Sequence, residues 1–183
     1  MQLGFYFDQS RCSGCLACVV ACEDWHDIPP GPVFWRRVTV REEGRYPDVS
    51  VTFFSGSCYH CAEPICEKAC PVDAIKKRKE DGIVVVDRER CLGRAQCGAC
   101  KNVCPYDAPQ FGTEPDASME MCNLCLERWG EGKKPICVQA CPMRALDAGS
   151  LDELASRYGG THEAPGFSFS ETTRPSVLFK PKK

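Results

Sequence analysis

CYHCAEPICEKACPVDAIKKRKEDGIVVVDRERCLGRAQCGACKNVCP, residues 58–105, is the stretch around which the chain is organised. It holds Cys58, Cys61, Cys66 and Cys70-Pro71, then Cys91, Cys97, Cys100 and Cys104-Pro105. Asp81-Gly82 followed by the apolar run Ile83–Val86 predicts a tight turn and a β-branched strand, folding the second half back onto the first. The basic cluster Lys76-Lys77-Arg78-Lys79 reads as a solvated turn, because loops are exposed.

Working outward, two further groups of four flank this stretch: Cys12, Cys15, Cys18 and Cys22, and Cys122, Cys125, Cys137 and Cys141. Sixteen cysteines in 183 residues are either a disulfide framework or metal thiolates. The start, Met-Gln-Leu-Gly-Phe-Tyr, lacks the basic region and apolar core of a secretory signal, and it lacks a twin-arginine pair. Closely spaced Cys-x-x-Cys repeats make poor disulfides and good chelates. The expectation is a reduced, metal-loaded protein in the cytoplasm, with export on a partner that carries the signal as the alternative.

Composition excludes other classes. With 23 basic and 25 acidic residues the formal net charge is −2, so no basic field calls for nucleic acid. The apolar stretch Leu16–Cys22 has seven residues, short of the roughly 18–20 that span a bilayer, so no direct membrane span is expected. No Ser/His/Asp arrangement, phosphate loop, paired-acid site or dinucleotide fingerprint is visible, which predicts a chain without a catalytic site of its own. His26 and His162 carry no signal. His60, beside Cys61, either packs in the core or donates to a sulfur.

Secondary structure follows from pattern. Phe5–Asp8 reads as a strand, and the second half of the first cysteine group starts a helix. Asp27-Ile-Pro-Pro-Gly-Pro32 cannot continue it, because proline lacks the amide donor. Alternation over 33–41 and 49–54 predicts a β-hairpin with Glu42–Asp48 as its loop. Its roles are covering a metal site or, given Phe34, Trp35, Phe53 and Phe54, presenting a docking surface. Cys-Pro-x-x-Ala recurs at Cys70–Ala74, Cys104–Ala108 and Cys141–Ala145. The gap between Cys125 and Cys137 reads as a loop, with Gly130 and Gly132. Ser150-Leu-Asp-Glu153 predicts a capping box and a short helix ending at Gly159-Gly160. The tail from Thr161 either lies along a partner or is an unstructured end.

The central stretch has the layout of a bacterial two-cluster ferredoxin, where the fourth cysteine of each run ligates the other run's cluster. Zinc is the competing metal, but tetrahedral zinc sites use two separated Cys-x-x-Cys pairs rather than three close cysteines plus a recurring Cys-Pro. Iron–sulfur is the reading adopted. Sixteen cysteines divide into four 4Fe-4S clusters with none left over. The exchange rule gives Cys58, Cys61, Cys66 and Cys104; Cys91, Cys97, Cys100 and Cys70; Cys12, Cys15, Cys18 and Cys141; and Cys122, Cys125, Cys137 and Cys22. A tandem scheme, first group with second and third with fourth, is the alternative.

The four groups, with Gly4-Phe-Tyr-Phe-Asp8, Arg11-Cys12, Cys104-Pro-Tyr-Asp-Ala-Pro-Gln-Phe111 and Leu146–Leu154, closely resemble the four-cluster electron-transfer subunit of molybdenum and tungsten pterin oxidoreductases of the dimethyl-sulfoxide-reductase and polysulfide-reductase type. Similar subunits serve tungsten aldehyde oxidoreductases. The resemblance implies the nested pairing, a row of clusters, and a large molybdenum- or tungsten-pterin catalytic partner, with room for a further electron-accepting or membrane subunit. The chain departs from the family pattern where Arg94 replaces a cysteine and Cys97 follows Cys91 by a longer gap. Arg94 either approaches that cluster and raises its potential, or faces solvent.

The expected fold is therefore α+β: two nested bacterial-type two-cluster ferredoxin units, small and loop-rich. Residues 1–30 with 113–150 form the outer unit, 31–54 an inserted β-hairpin, 55–112 the inner unit, and 151–183 a C-terminal helix and tail. The expected function is a relay of single electrons. An independent soluble polyferredoxin is the alternative.

Overall fold

The computed structural model describes residues 1–182. Its centre is β1 (Leu3–Asp8), whose six residues are all buried. Burial on both faces explains the aromatic run Phe5-Tyr-Phe7, because pleated, two-sided environments favour such side chains. Leu3, Phe5 and Phe7 join the main core, whereas Tyr6 packs with Leu154 and Leu178 on the other side. β6 (Leu146–Ser150) pairs antiparallel with β1, and β7 (Val177–Lys180) pairs with it in parallel. A Cβ on Gly4 would meet the Ser176 carbonyl, so only glycine lets this strand approach so closely.

The tail differs from both readings of it. Val177, Leu178 and Phe179 are buried in the central sheet as β7. Before it, α7 (Leu151–Tyr158) lies on the Tyr6 face, and Tyr6 stacks on Tyr158 with ring centroids 4.1 Å apart. The helix stops at Gly159 and Gly160, both at positive φ, as the sequence indicates. The capping box does not form: Ser150, the last residue of β6, stands at the N-cap of α7 but makes no side-chain cap bond.

Short helical turns carry cysteines into the core. α1 (Ala17–Trp25) packs against α6 (Ile136–Gln139), and α2 (Ile65–Lys68) packs against α4 (Ala99–Val103). α2 and α6 share the sequence Pro-Ile-Cys-x-x-Ala-Cys-Pro, from Pro64 and Pro135. Proline just before a helical turn is favourable because its missing donor is not needed there. Strands β4 (Ile75–Lys77) and β5 (Val84–Val86) pair antiparallel around the Asp81-Gly82 turn. The basic cluster is thus only partly a solvated turn. Lys77 sits in β4 and its Nζ donates to the Cys61 carbonyl and to Gln2 Oε1, each at 2.7 Å.

The hairpin is longer than its alternation suggests. β2 (Arg36–Arg45) and β3 (Asp48–Ser57) pair without slip down to Tyr46-Pro47, so Glu42–Arg45 belong to strand rather than loop. Its far half is exposed, and its base covers the core. Phe54 packs edge-on against Phe7 and beside Phe167 and Phe179, so it is half-buried at the base of the hairpin.

The residues inserted after Cys91 form α3 (Gly93–Gln96), whose start needs Gly93 at φ +74, since a Cβ there would sit 2.8 Å from the Asp116 carbonyl. Arg94 is exposed, as the solvent-facing reading anticipates. α5 (Leu126–Gly130) closes the long gap between Cys125 and Cys137, with buried Arg128 donating to the Lys134 carbonyl at 2.7 Å and to the Gln139 side chain.

Candidate metal centres

Four sets of thiols come together, each drawing on distant parts of the chain. Cys12 and Cys15, on the loop into α1, and Cys18, in its first turn, line a cavity with Cys141, closed by Phe7, Val38 and Ser55. Cys91, Cys97 and Cys100 line a second with Cys70, against Ile75, Phe111 and Met119. Cys22 lies within electrostatic reach of Cys122, Cys137 and Cys125. Cys61 and Cys66 lie within reach of Cys104, and Cys58 within reach of Cys66 and Cys61.

These surroundings disfavour a bare anion. Burial is the main cause that pushes Cys61 up to about 11, Cys66 to about 12, Cys100 to about 11, Cys122 to about 11 and Cys125 to about 12. Burial also raises Cys22 and Cys58, and the neighbouring sulfurs add to it. Thiols crowded in this way become thiolates together only around cations, which is how a metal displaces their protons. The donor set, sulfur throughout and gathered in fours, fits iron–sulfur cubanes.

Backbone amides complete the sulfur environment. Ala74 N–H donates to Cys70 Sγ and Ala145 N–H to Cys141 Sγ, each at 3.3 Å. Met119 N–H donates to Cys91 Sγ at 3.3 Å and Leu124 N–H to Cys122 Sγ at 3.4 Å. The Cys-Pro-x-x-Ala repeat thereby acquires a physical meaning. Proline turns the chain away, the residue before alanine adopts positive φ at Asp73, Asp107 and Arg144, and at two of the three repeats the alanine amide swings back onto sulfur. Such bonds are among the means by which proteins set cluster potentials.

Three non-cysteine residues stand out. His60 is fully buried, and its Nδ1 accepts from the Val84 amide at 3.1 Å. Burial, with Lys77 nearby, lowers it to about 3, so the ring is neutral and braces β5. His26, which carries no signal in the sequence, places Nε2 3.3 Å from Cys125 Sγ and tilts its ring over Trp35 at 4.5 Å. With Glu127 these atoms form a compact group, but Cys125 already belongs to one of the four sets. Sequence reasoning misses Arg36 entirely. It is 2 % exposed, and although burial works against its charge, Cys137, Cys18, Cys122 and Cys22 hold its pKa above the ordinary guanidinium value. Its one local sign is register: Arg36 shares a face with Val38, the face that covers the core.

The comparisons with known proteins agree in kind. A family described as "4Fe-4S dicluster domain" matches residues 49–151, and a second of the same description matches 11–74. These matches overlap, so they do not divide the protein into an inner and an outer unit. One polypeptide of the anaerobic dimethyl sulfoxide reductase of Escherichia coli (strain K12) is 42 % identical over 98 % of this chain and 89 % of its own length. One polypeptide of the sulfite dehydrogenase of Allochromatium vinosum is 31 % identical over 100 % of this chain and 84 % of its own. The formate dehydrogenase iron-sulfur subunit of Wolinella succinogenes is 34 % identical over 84 % of each. This protein belongs to the family of 4Fe-4S dicluster electron-transfer subunits that includes the dimethyl sulfoxide reductase polypeptide. Among the described residues, no helix is long and apolar enough to cross a membrane.

Proposed function

We propose that this chain relays single electrons to or from a molybdenum- or tungsten-pterin catalytic subunit, holds four 4Fe-4S clusters, and performs no substrate chemistry itself. Each cubane, when bound, supplies a one-electron couple whose potential the protein sets, within roughly −700 to +450 mV for such clusters generally. The carrying observation is that cysteines far apart in sequence meet in fours. Cys141 meets the first group, and Cys70 meets the third. This supports the exchanged, nested pairing over the tandem one, with residues 1–30 and 113–150 around 55–112.

Proximity between sets suggests their order. Cys18 is near Cys137, Cys122 near Cys58, and Cys66 near Cys100. The sites then run from Cys12/15/18/141 through Cys22/122/125/137 and Cys58/61/66/104 to Cys70/91/97/100. The chain's part is to hold the thiols, exclude water and aim amides at sulfur. Such a row serves a partner at one end and an electron donor or acceptor at the other.

Anaerobic purification tests this reading. About sixteen irons with matching acid-labile sulfide per chain are expected, four cubanes of four, together with a large subunit containing molybdenum or tungsten. Zinc in place of iron, or about four irons, would overturn it. A stable iron-loaded monomer with no such subunit would replace it with a diffusing polyferredoxin.

A further inference from the structure

We infer that Arg36 is the built-in counter-cation of the site formed by Cys22, Cys122, Cys125 and Cys137, raising that site's reduction potential above what its sulfurs alone would give. This rests on the reading above and goes beyond it by assigning a role to a residue outside the cysteine groups.

A guanidinium stays charged at any pH a protein survives, so burying one demands an anion or a dense set of acceptors. Arg36 lacks the usual anion. None of the ion pairs among the described residues includes it. Its contacts are neutral: Nη1 donates to Ser55 Oγ and Nη2 to Ser57 Oγ, each at 3.0 Å, and its Cζ lies 4.6 Å from the centroid of the Phe5 ring. Its Nε has no hydrogen-bond partner. Within electrostatic reach of it lie the sulfurs of Cys137, Cys18, Cys122 and Cys22.

The hairpin holds the charge in place. Ser57 pairs with Arg36 and Ser55 with Val38 across the strands, so both hydroxyls grip the fork from one face. Ser55 Oγ is also 3.6 Å from Cys18 Sγ, linking the fork to the neighbouring site. Thiolate-bound cubanes are anionic, and one-electron reduction makes them more so, with no bond made or broken at Arg36. A fixed positive charge therefore favours the reduced form, and burial spares the attraction from screening by salt. The hairpin thus acts as an electrostatic arm as well as a cover.

The test uses the full chain in its native complex, with Arg36→Met and Arg36→Lys, read by iron content and by redox titration of each cluster under electron paramagnetic resonance. In Arg36→Met one cluster should lose at least tenfold in its reduction equilibrium, about 59 mV for one electron. The other three should move less, and Arg36→Lys should restore most of the shift. Loss of iron in Arg36→Met with Arg36→Lys intact also supports the role, since lysine restores the positive charge without the planar fork that ties Ser55 to Ser57. Full iron with all four potentials within threefold of the parent overturns it. So does equal damage in both variants, which would make Arg36 a brace for the hairpin. An unmutated complex without iron would instead sink the proposed function.

Discussion

Asp147 illustrates how single residues at the edge of the core are invisible to pattern reading. Nothing in the spacing around Leu146–Ser150 marks it, yet its carboxylate accepts from the Ala148 amide at 2.8 Å and the Tyr158 hydroxyl at 2.9 Å, and pairs with Lys134 at 3.1 Å. Burial pushes the carboxyl up, but these donors outweigh it and hold the pKa below the ordinary carboxylate value. The group therefore contributes stability that is present above the unfolded value of about 3.9 and is lost as pH falls through the lower folded value. Asp147→Asn should cost about 1–2 kcal/mol at pH 7, and the gap from the parent should narrow toward and below pH 4. Denaturant unfolding of the two proteins at pH 7 and in acid checks this, and a gap independent of pH would refute it. The cysteines are different. Their number and spacing carry the chemistry directly, because a thiolate ligand needs no neighbour to declare its type.

At the scale of elements, local signals succeed where local chemistry decides. The Asp81-Gly82 turn, the first strand, the proline stop after α1 and the glycine stop of α7 all depend on a few adjacent residues. They fail where a distant partner decides. Val177–Phe179 is too short a run to announce itself as a strand, and it becomes one because β1 offers an edge. Phe179 is fully buried beside Phe167, ring centroids 4.8 Å apart. Phe179→Ala should cost about 3–5 kcal/mol, whereas Val40→Ala on the exposed hairpin should stay within about 0.5 kcal/mol. Comparison of their unfolding midpoints checks the point. Equal, mild effects would mean that β7 is not part of the cooperative core. The hairpin shows the same division: its alternation is legible, but the continuation of pairing through Glu42–Arg45 depends on the facing strand.

For the whole molecule, the proposed division of the thiols into four sets predicts that damage is local. Cys100 belongs to the set at one end of the proposed row, and Cys12, Cys15, Cys18 and Cys141 lie at the other. Cys100→Ser should remove or alter one cluster, about a quarter of the iron, and leave the two outer-unit clusters with unchanged spectra and potentials. Quantitative electron paramagnetic resonance of the reduced variant checks this. Equal loss of all four signals would show a single cooperative unit and contradict the nested picture.

Sequence by itself determined the sulfur chemistry, the α+β class and the family, since ligand type, ligand spacing and turn residues are properties of short segments. Tertiary structure alone decided that the tail closes the central sheet and that a guanidinium is buried within electrostatic reach of the sulfurs. Those features are set by long-range packing and by the electrostatics of burial. Neither leaves a mark on the residues until the chain has folded around them.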